Sequence, residues 1–113
     1  TLLDASVPQL AAEAVAQLFS AEQNALPARL PIARVLSHPG GRDVIDALEA
    51  ALPGQRLDTS RDVLRRYGNM SSPSVLFALE HALQESAPAR DADWWLVSFG
   101  AGFSAHSCRV SAG

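Results

Sequence analysis

A chain of 113 residues with 48% hydrophobic and 19% charged side chains is one domain's worth of folded protein, with a thin core and none of the composition of a disordered segment. A net charge of −3 gives no electrostatic case for nucleic acid binding. Nine arginines, no lysine and abundant alanine point to a GC-rich genome, which bears on origin and not on function.

In chain order, Val7 to Ser20 carries apolar residues at Val7, Leu10, Ala11, Ala14, Val15, Leu18 and Phe19, the spacing of a helix with one apolar face. Ser6 is placed to cap it, and Pro8 falls in its first turn. Pro31 to Ser37 is short, apolar and partly β-branched, so it reads as a buried strand. His38-Pro39-Gly40-Gly41 then turns the chain. Arg42 to Leu52 puts Val44, Ile45, Leu48 and Leu52 on one helical face and stops at Pro53-Gly54. Thr59 or Ser60 caps a short helix over Arg61 to Tyr67, which Gly68 ends.

Ser71 or Ser72 caps the next helix, Pro73 opens it, and Val75, Leu76, Leu79 and Leu83 form its buried stripe. Asp93 to Phe99 reads as a strand, broken by Gly100-Ala101-Gly102, and Ser104 to Val110 as a closing strand. The order α-β-α-α-α-β-β gives an α/β fold class. The polar and Pro/Ala-rich stretches at Ser20 to Pro31 and Glu85 to Asp93 are too short to be domain linkers, and no internal repeat is present. The reading is therefore a single domain over residues 1–113.

Two short motifs carry the chemistry. His38 precedes Pro39-Gly40-Gly41, and thirty-one residues later Asn69 sits in Gly68-Asn69-Met70-Ser71-Ser72-Pro73. A lone histidine at a strand end is most often a cap or a surface group, and Gly-Asn before Ser-Ser is ordinary turn chemistry. Together, an imidazole N–H and an amide N–H on two glycine-rich turns can converge on one oxygen and stabilise negative charge as it develops there. The amide does not titrate, so it stays a neutral donor. The glycines beside His38 let the backbone approach a ligand closely.

Both motifs, in this order, resemble the C-terminal part of type III polyketide synthases, the chalcone and stilbene synthase family within the thiolase-like condensing enzymes. The tail Ser98-Phe99-Gly100-Ala101-Gly102-Phe103-Ser104 resembles that family's C-terminal glycine-rich loop. The resemblance spans nearly the whole chain and is strongest at 38–41, 60–79 and 94–104. It implies the C-terminal half of a thiolase-like fold, a mixed sheet with covering helices. His38 and Asn69 would then be the catalytic oxyanion donors. Gly40, Gly41, Ser71, Phe99, Gly100, Ala101 and Gly102 would line the substrate cavity. Many members have proline where this chain has Ala101, a departure that leaves the loop backbone less fixed.

The family's nucleophilic cysteine lies upstream of the histidine, and this chain has no cysteine there. The resemblance implies the C-terminal segment of a synthase, or of a close bacterial relative, partnered by a cysteine-bearing N-terminal part and homodimeric when complete. Its substrates would be malonyl-CoA and an acyl-CoA starter, coenzyme A thioesters, with no tightly bound cofactor. The segment alone is expected to be inactive. The alternatives are a non-catalytic remnant or interaction domain, and part of a ketoacyl synthase III-type condensing enzyme.

The remaining candidates read as structural. Cys108 follows both motifs, lies on a strand away from any helix N-terminus, and is expected to be a small buried hydrophobe. His81 and His106 have no motif around them. Arg61, Arg65 and Arg66, with Asp58 and Asp62, form a charged helical face read as solvated. One cysteine and three scattered histidines give no metal-ligand spacing. A single cysteine and the lack of a signal peptide or membrane-length apolar run suggest a reducing cytoplasm, with neither membrane nor nucleic acid as partner.

Overall fold

The apolar run Asp93–Phe99 is the middle strand of a three-stranded sheet. The computed structural model describes residues 2–25, 29–38, 40–68, 74–99 and 105–112. The elements are α1 (Leu2–Gln23), β1 (Ile32–Ser37), α2 (Arg42–Ala51), α3 (Asp58–Tyr67), α4 (Ser74–Glu85), β2 (Asp93–Phe99) and β3 (Ala105–Val110). This is the expected order. β1 runs parallel to β2, with Val35 opposite Trp95 and Ser37 opposite Val97. β3 runs antiparallel to β2, with Leu96 opposite Cys108. The sheet is mixed, in the order β1-β2-β3, as the thiolase-like reading requires.

Strand side chains alternate between faces, and that alternation builds two cores. Val35, Trp95 and Val97 point to one face, where α1 and α2 cover them with Ala12, Val15, Phe19, Ile45 and Leu48. Phe19 meets Trp95 edge to face at 5.3 Å. Leu36, Trp94 and Leu96 point to the other face and pack on Ala82, with Val75 and Leu79 of α4 partly buried beside them. Helices therefore cover both faces.

Several local expectations change. α1 starts before Val7, so Ser6 lies inside the helix rather than capping it, and Pro8 is internal. Proline keeps a helical φ but gives up one backbone hydrogen bond. α3 begins at Asp58 with Leu57 at its N-cap, so Thr59 and Ser60 are first-turn residues and not caps. The Leu57 N–H is satisfied by Glu49 Oε2 at 2.9 Å instead. Arg61 is not merely a solvated charge, because it bridges α3 to Asp46 and Glu49 of α2.

α4 turns inward only half of the expected stripe, since Val75 and Leu79 pack on the core and Leu76 and Leu83 do not. Ala78 and Ala82 are fully buried, whereas Leu76 is 62% and Leu83 47% exposed. The small alanines let the helix backbone lie close to its neighbours, and residues 75, 78, 79 and 82 then share one face. Cys108 is exposed rather than buried. It lies on the edge strand β3, whose central residues 106–108 are exposed. The caps at Ser71 and Ser72, with Pro73 and Ser104, lie outside the described residues. Among the described residues, no helix is long and apolar enough to cross a membrane.

Candidate functional site

His38 follows the last residue of β1 and continues its ladder, donating its backbone N–H to the Val97 carbonyl at 3.3 Å. Its side chain is buried, with the residue only 4% exposed. The Phe99 backbone N–H donates to Nδ1 at 3.4 Å. The two rings lie 4.1 Å apart between centroids, tilted by 39°. A nitrogen that accepts a hydrogen bond carries no proton, so a neutral ring in this arrangement holds its proton on Nε2. Burial pushes the imidazole pKa below its ordinary value, because the low-dielectric surroundings disfavour the cation. The outcome is a neutral Nε2–H donor of defined orientation.

The glycines after His38 serve this arrangement directly. Gly40 has φ +61°, and a Cβ there would lie 2.8 Å from Phe99 Cζ and 3.2 Å from Val44 Cγ1. Gly41 has φ +105° and is the N-cap of α2. Glycine alone reaches such a backbone without strain and leaves room for the phenyl ring. The close approach read from the sequence is therefore first an approach of Phe99 to the turn.

On the other side of β1, Ser37 is fully buried beside Ser60 of α3. Ser60 Oγ donates to the Ser37 carbonyl at 2.7 Å and accepts from the Ser37 N–H at 3.2 Å. Ser37 Oγ in turn donates to the His38 carbonyl at 2.6 Å. Sequence reasoning missed this role for Ser60. A serine near a helix start reads as a cap, and no periodicity marks one that reaches across to a strand. α3 ends at Gly68, with φ +76°, as expected.

Of the expected site residues, the structure brings His38, Gly40 and Phe99 together, with Gly41 next along the turn. Asn69, Ser71, Gly100, Ala101 and Gly102 lie outside the described residues.

Away from this site, the fold draws Asp62, His81 and Glu85 together, although their sequence spacing gives no metal signature. Their ligand atoms all lie within 4.8 Å of one another, and His81 Nε2 is 3.6 Å from both carboxylates. Each carboxylate also meets an arginine, Asp62 with Arg65 and Glu85 with Arg34. The group is a polar cluster between α3, α4 and β1, with ion pairs at Asp62–Arg65 and Glu85–Arg34. His106 is exposed on β3.

A second network fixes the far end of the sheet. Arg109 of β3 pairs with Glu22 of α1 and, at 2.8 Å, with Asp93 of β2. It also donates to the Leu30 carbonyl at 2.7 Å. The Arg109 hydrogen bond, followed by that of Ser111, holds the Asp93 carboxyl below its usual range. The Arg109 hydrogen bond likewise lowers Glu22. These charges hold the scaffold at the end of β2 opposite Phe99.

Comparison with known proteins gives the family of the chain. Residues 3–110 match the family model described as chalcone and stilbene synthases, C-terminal domain. Over 72 residues, 62% of this chain, it is 38% identical to 3-ketoacyl-CoA synthase 5 of Arabidopsis thaliana, covering 15% of that protein. Identity to 3-ketoacyl-CoA synthase 6 of the same plant is also 38% over 72 residues, covering 14% of its length. The chain thus spans a small part of the curated relatives it matches. With the mixed sheet and a histidine at the end of β1, the match over 3–110 shows that this chain belongs to the chalcone and stilbene synthase C-terminal domain family.

Proposed function

We propose that this chain is the C-terminal part of a type III polyketide synthase that supplies the oxyanion donors for decarboxylative condensation. The observation that carries the reading is the buried His38 imidazole, whose Nδ1 accepts from the Phe99 N–H and whose Nε2 therefore carries the proton it can donate. In this mechanism malonyl-CoA loses CO2. The C–C bond to the carboxylate breaks, and its electron pair moves onto the thioester to form an enolate. His38 Nε2–H and the Asn69 amide N–H hold the enolate oxygen. The enolate carbon then attacks an acyl group carried as a thioester on a cysteine of the N-terminal part. A C–C bond forms and the cysteine thiolate leaves.

A neutral imidazole suits this role, because a donor kept neutral by burial stabilises the developing charge without surrendering its proton. In the resting complete enzyme the same Nε2–H would donate a hydrogen bond to the cysteine thiolate and so lower that thiol's pKa. Gly40, Gly41, Ser71, Phe99 and Gly100-Ala101-Gly102 would shape the cavity. The partners of this reading are the cysteine-bearing part, malonyl-CoA, an acyl-CoA starter and a second copy of the complete protein, in the cytoplasm and with no tightly bound cofactor.

The test is malonyl-CoA decarboxylation by the complete enzyme. His38→Ala and Asn69→Ala are each expected to lower the rate by on the order of a hundredfold, the usual scale for losing an oxyanion donor. Unchanged rates in both variants overturn the assignment. The similarity to two 3-ketoacyl-CoA synthases favours a second reading, a single condensation whose product leaves as a 3-ketoacyl-CoA. Mass analysis of the products separates the two. Cyclised or multiply extended chains support the polyketide reading, and a one-step 3-ketoacyl thioester supports the second.

A further inference from the structure

We propose that Ser60 is a positioning residue for His38, holding the end of β1 so that the imidazole stays under the Phe99 N–H. The proposal rests on the reading of His38 as an oxyanion donor.

β1 is an edge strand of the described sheet, with β2 on one side only. In a parallel ladder the N–H and C=O of one residue point to the same side, and the next residue's point to the other. The His38 N–H points to β2, where it meets the Val97 carbonyl. The N–H and C=O of Ser37 therefore point away from the sheet, where another strand would ordinarily pair with them. α3 fills that place with one hydroxyl. Ser60 Oγ accepts from the Ser37 N–H and donates to the Ser37 carbonyl. A single atom thus completes both hydrogen-bonding groups of the residue before the histidine.

The position is closed to water, since Ser37 and Ser60 are both fully buried. Among the described residues, Ser60 Oγ is the partner of both groups, and removing it leaves a buried donor and a buried acceptor to be satisfied anew. Nor does the hydroxyl serve its own helix. Ser60 is the third residue of α3, the helix has no side-chain cap hydrogen bond, and the bonds run across to the strand. The chain of contacts continues inward, from Ser60 to Ser37, and from Ser37 Oγ to the His38 carbonyl. At 3.4 Å, the hydrogen bond from Phe99 N–H to Nδ1 is already long for an N–H donor and is lost if the strand end shifts. Losing it frees the ring to turn and to change tautomer. Ser60 thus ties α3 to the strand that precedes His38.

The experiment is steady-state malonyl-CoA decarboxylation by the complete enzyme carrying Ser60→Ala, Ser60→Cys or Ser60→Thr, beside His38→Ala. Ser60→Ala is expected to lower kcat about tenfold or more, the scale of a displaced catalytic group, with KM within about twofold because Ser60 touches no substrate. Ser60→Thr keeps the hydroxyl and is expected to stay within about threefold of the parent kcat. Should the alanine variant not fold, Ser60→Cys decides in its place, because the thiol keeps the volume but is a weak donor and acceptor. A parent-like kcat in Ser60→Ala, or in Ser60→Cys where alanine does not fold, overturns the proposal while His38→Ala remains defective. A loss of kcat that threonine does not rescue also overturns it. Parent-like decarboxylation in His38→Ala instead overturns the reading of the histidine, and the positioning role with it.

Discussion

The Phe99 backbone N–H and His38 Nδ1 face each other at 3.4 Å across the parallel pair β1–β2, and this relationship fixes which imidazole nitrogen carries the proton. Histidine nitrogen shifts read by NMR are expected to show His38 as the Nε2–H tautomer at neutral pH. The midpoint of its titration should fall below the ordinary 6.5, the direction that burial imposes. A midpoint at or above 6.5, or a proton on Nδ1, contradicts the geometry.

The same shift has a stability consequence. The folded-state pKa of His38 lies below its unfolded value, so the unfolded chain takes up the proton first as pH falls. The contribution is complete above the unfolded value and is lost as pH falls from about 6.5 toward the folded value. Urea unfolding at about pH 7, 6 and 5 should show stability declining, with a shallower decline in His38→Gln.

Gly40→Ala is expected to destabilise the chain by about 2 kcal/mol, from a left-handed backbone and overpacking together. The new Cβ would meet Phe99 Cζ at 2.8 Å, and Val44 on α2 blocks the other side. The ring must move, and His38 packs on that ring. Chemical denaturation measures the first effect. Decarboxylation by the complete enzyme measures the second, with a fall in kcat expected.

Removing the Arg109 guanidinium strands a buried carboxylate. Arg109→Met leaves Asp93, whose side chain is 6% exposed, facing no cation from β3, and is expected to cost about 3 kcal/mol. Asp93→Asn in the same background should recover part of that loss. Asp93 and Glu22 have folded pKa values lowered by Arg109, so their stabilisation is complete above the unfolded values of 3.8 and 4.5 and is lost as pH falls through the lower folded values. Arg109→Met should therefore flatten the acid limb of the stability profile. An unchanged limb would show that these pairs contribute nothing.

The inward face of α4 is open to a direct test. Ala82→Leu forces extra methylenes between the helix and Trp94 or Leu96 and is expected to cost about 2 kcal/mol. Leu76→Gln and Leu83→Gln alter exposed positions of this chain and should each change stability by no more than about 0.5 kcal/mol. The reverse order in denaturation midpoints would restore the leucine stripe as the buried one.

Local sequence was enough for the order of elements, the strand Asp93–Phe99, the end of α3 at Gly68 and the turn after His38. Each rests on local physics: period, chain-breaking residues and positive-φ glycines. The apolar period of α4 was legible too, and with it Val75 and Leu79 of the inward face, but not the rest of that face. Leu76 and Leu83 are as apolar as any core residue, and only packing against the sheet decides that the small Ala78 and Ala82 turn inward. The exposure of Cys108 depends on which strand forms the edge, which is a matter of topology. In the site, the motif named His38 as a donor. The choice of nitrogen and its neutrality came from Phe99, sixty-one residues along the chain, and from burial. Ser60 reads locally as a cap, and only the meeting of α3 with the free side of β1 turns its hydroxyl toward Ser37. Local sequence sets what a segment can become. Hydrogen bonds between distant segments and exclusion of water set what each side chain then does, and both exist only once the chain has folded.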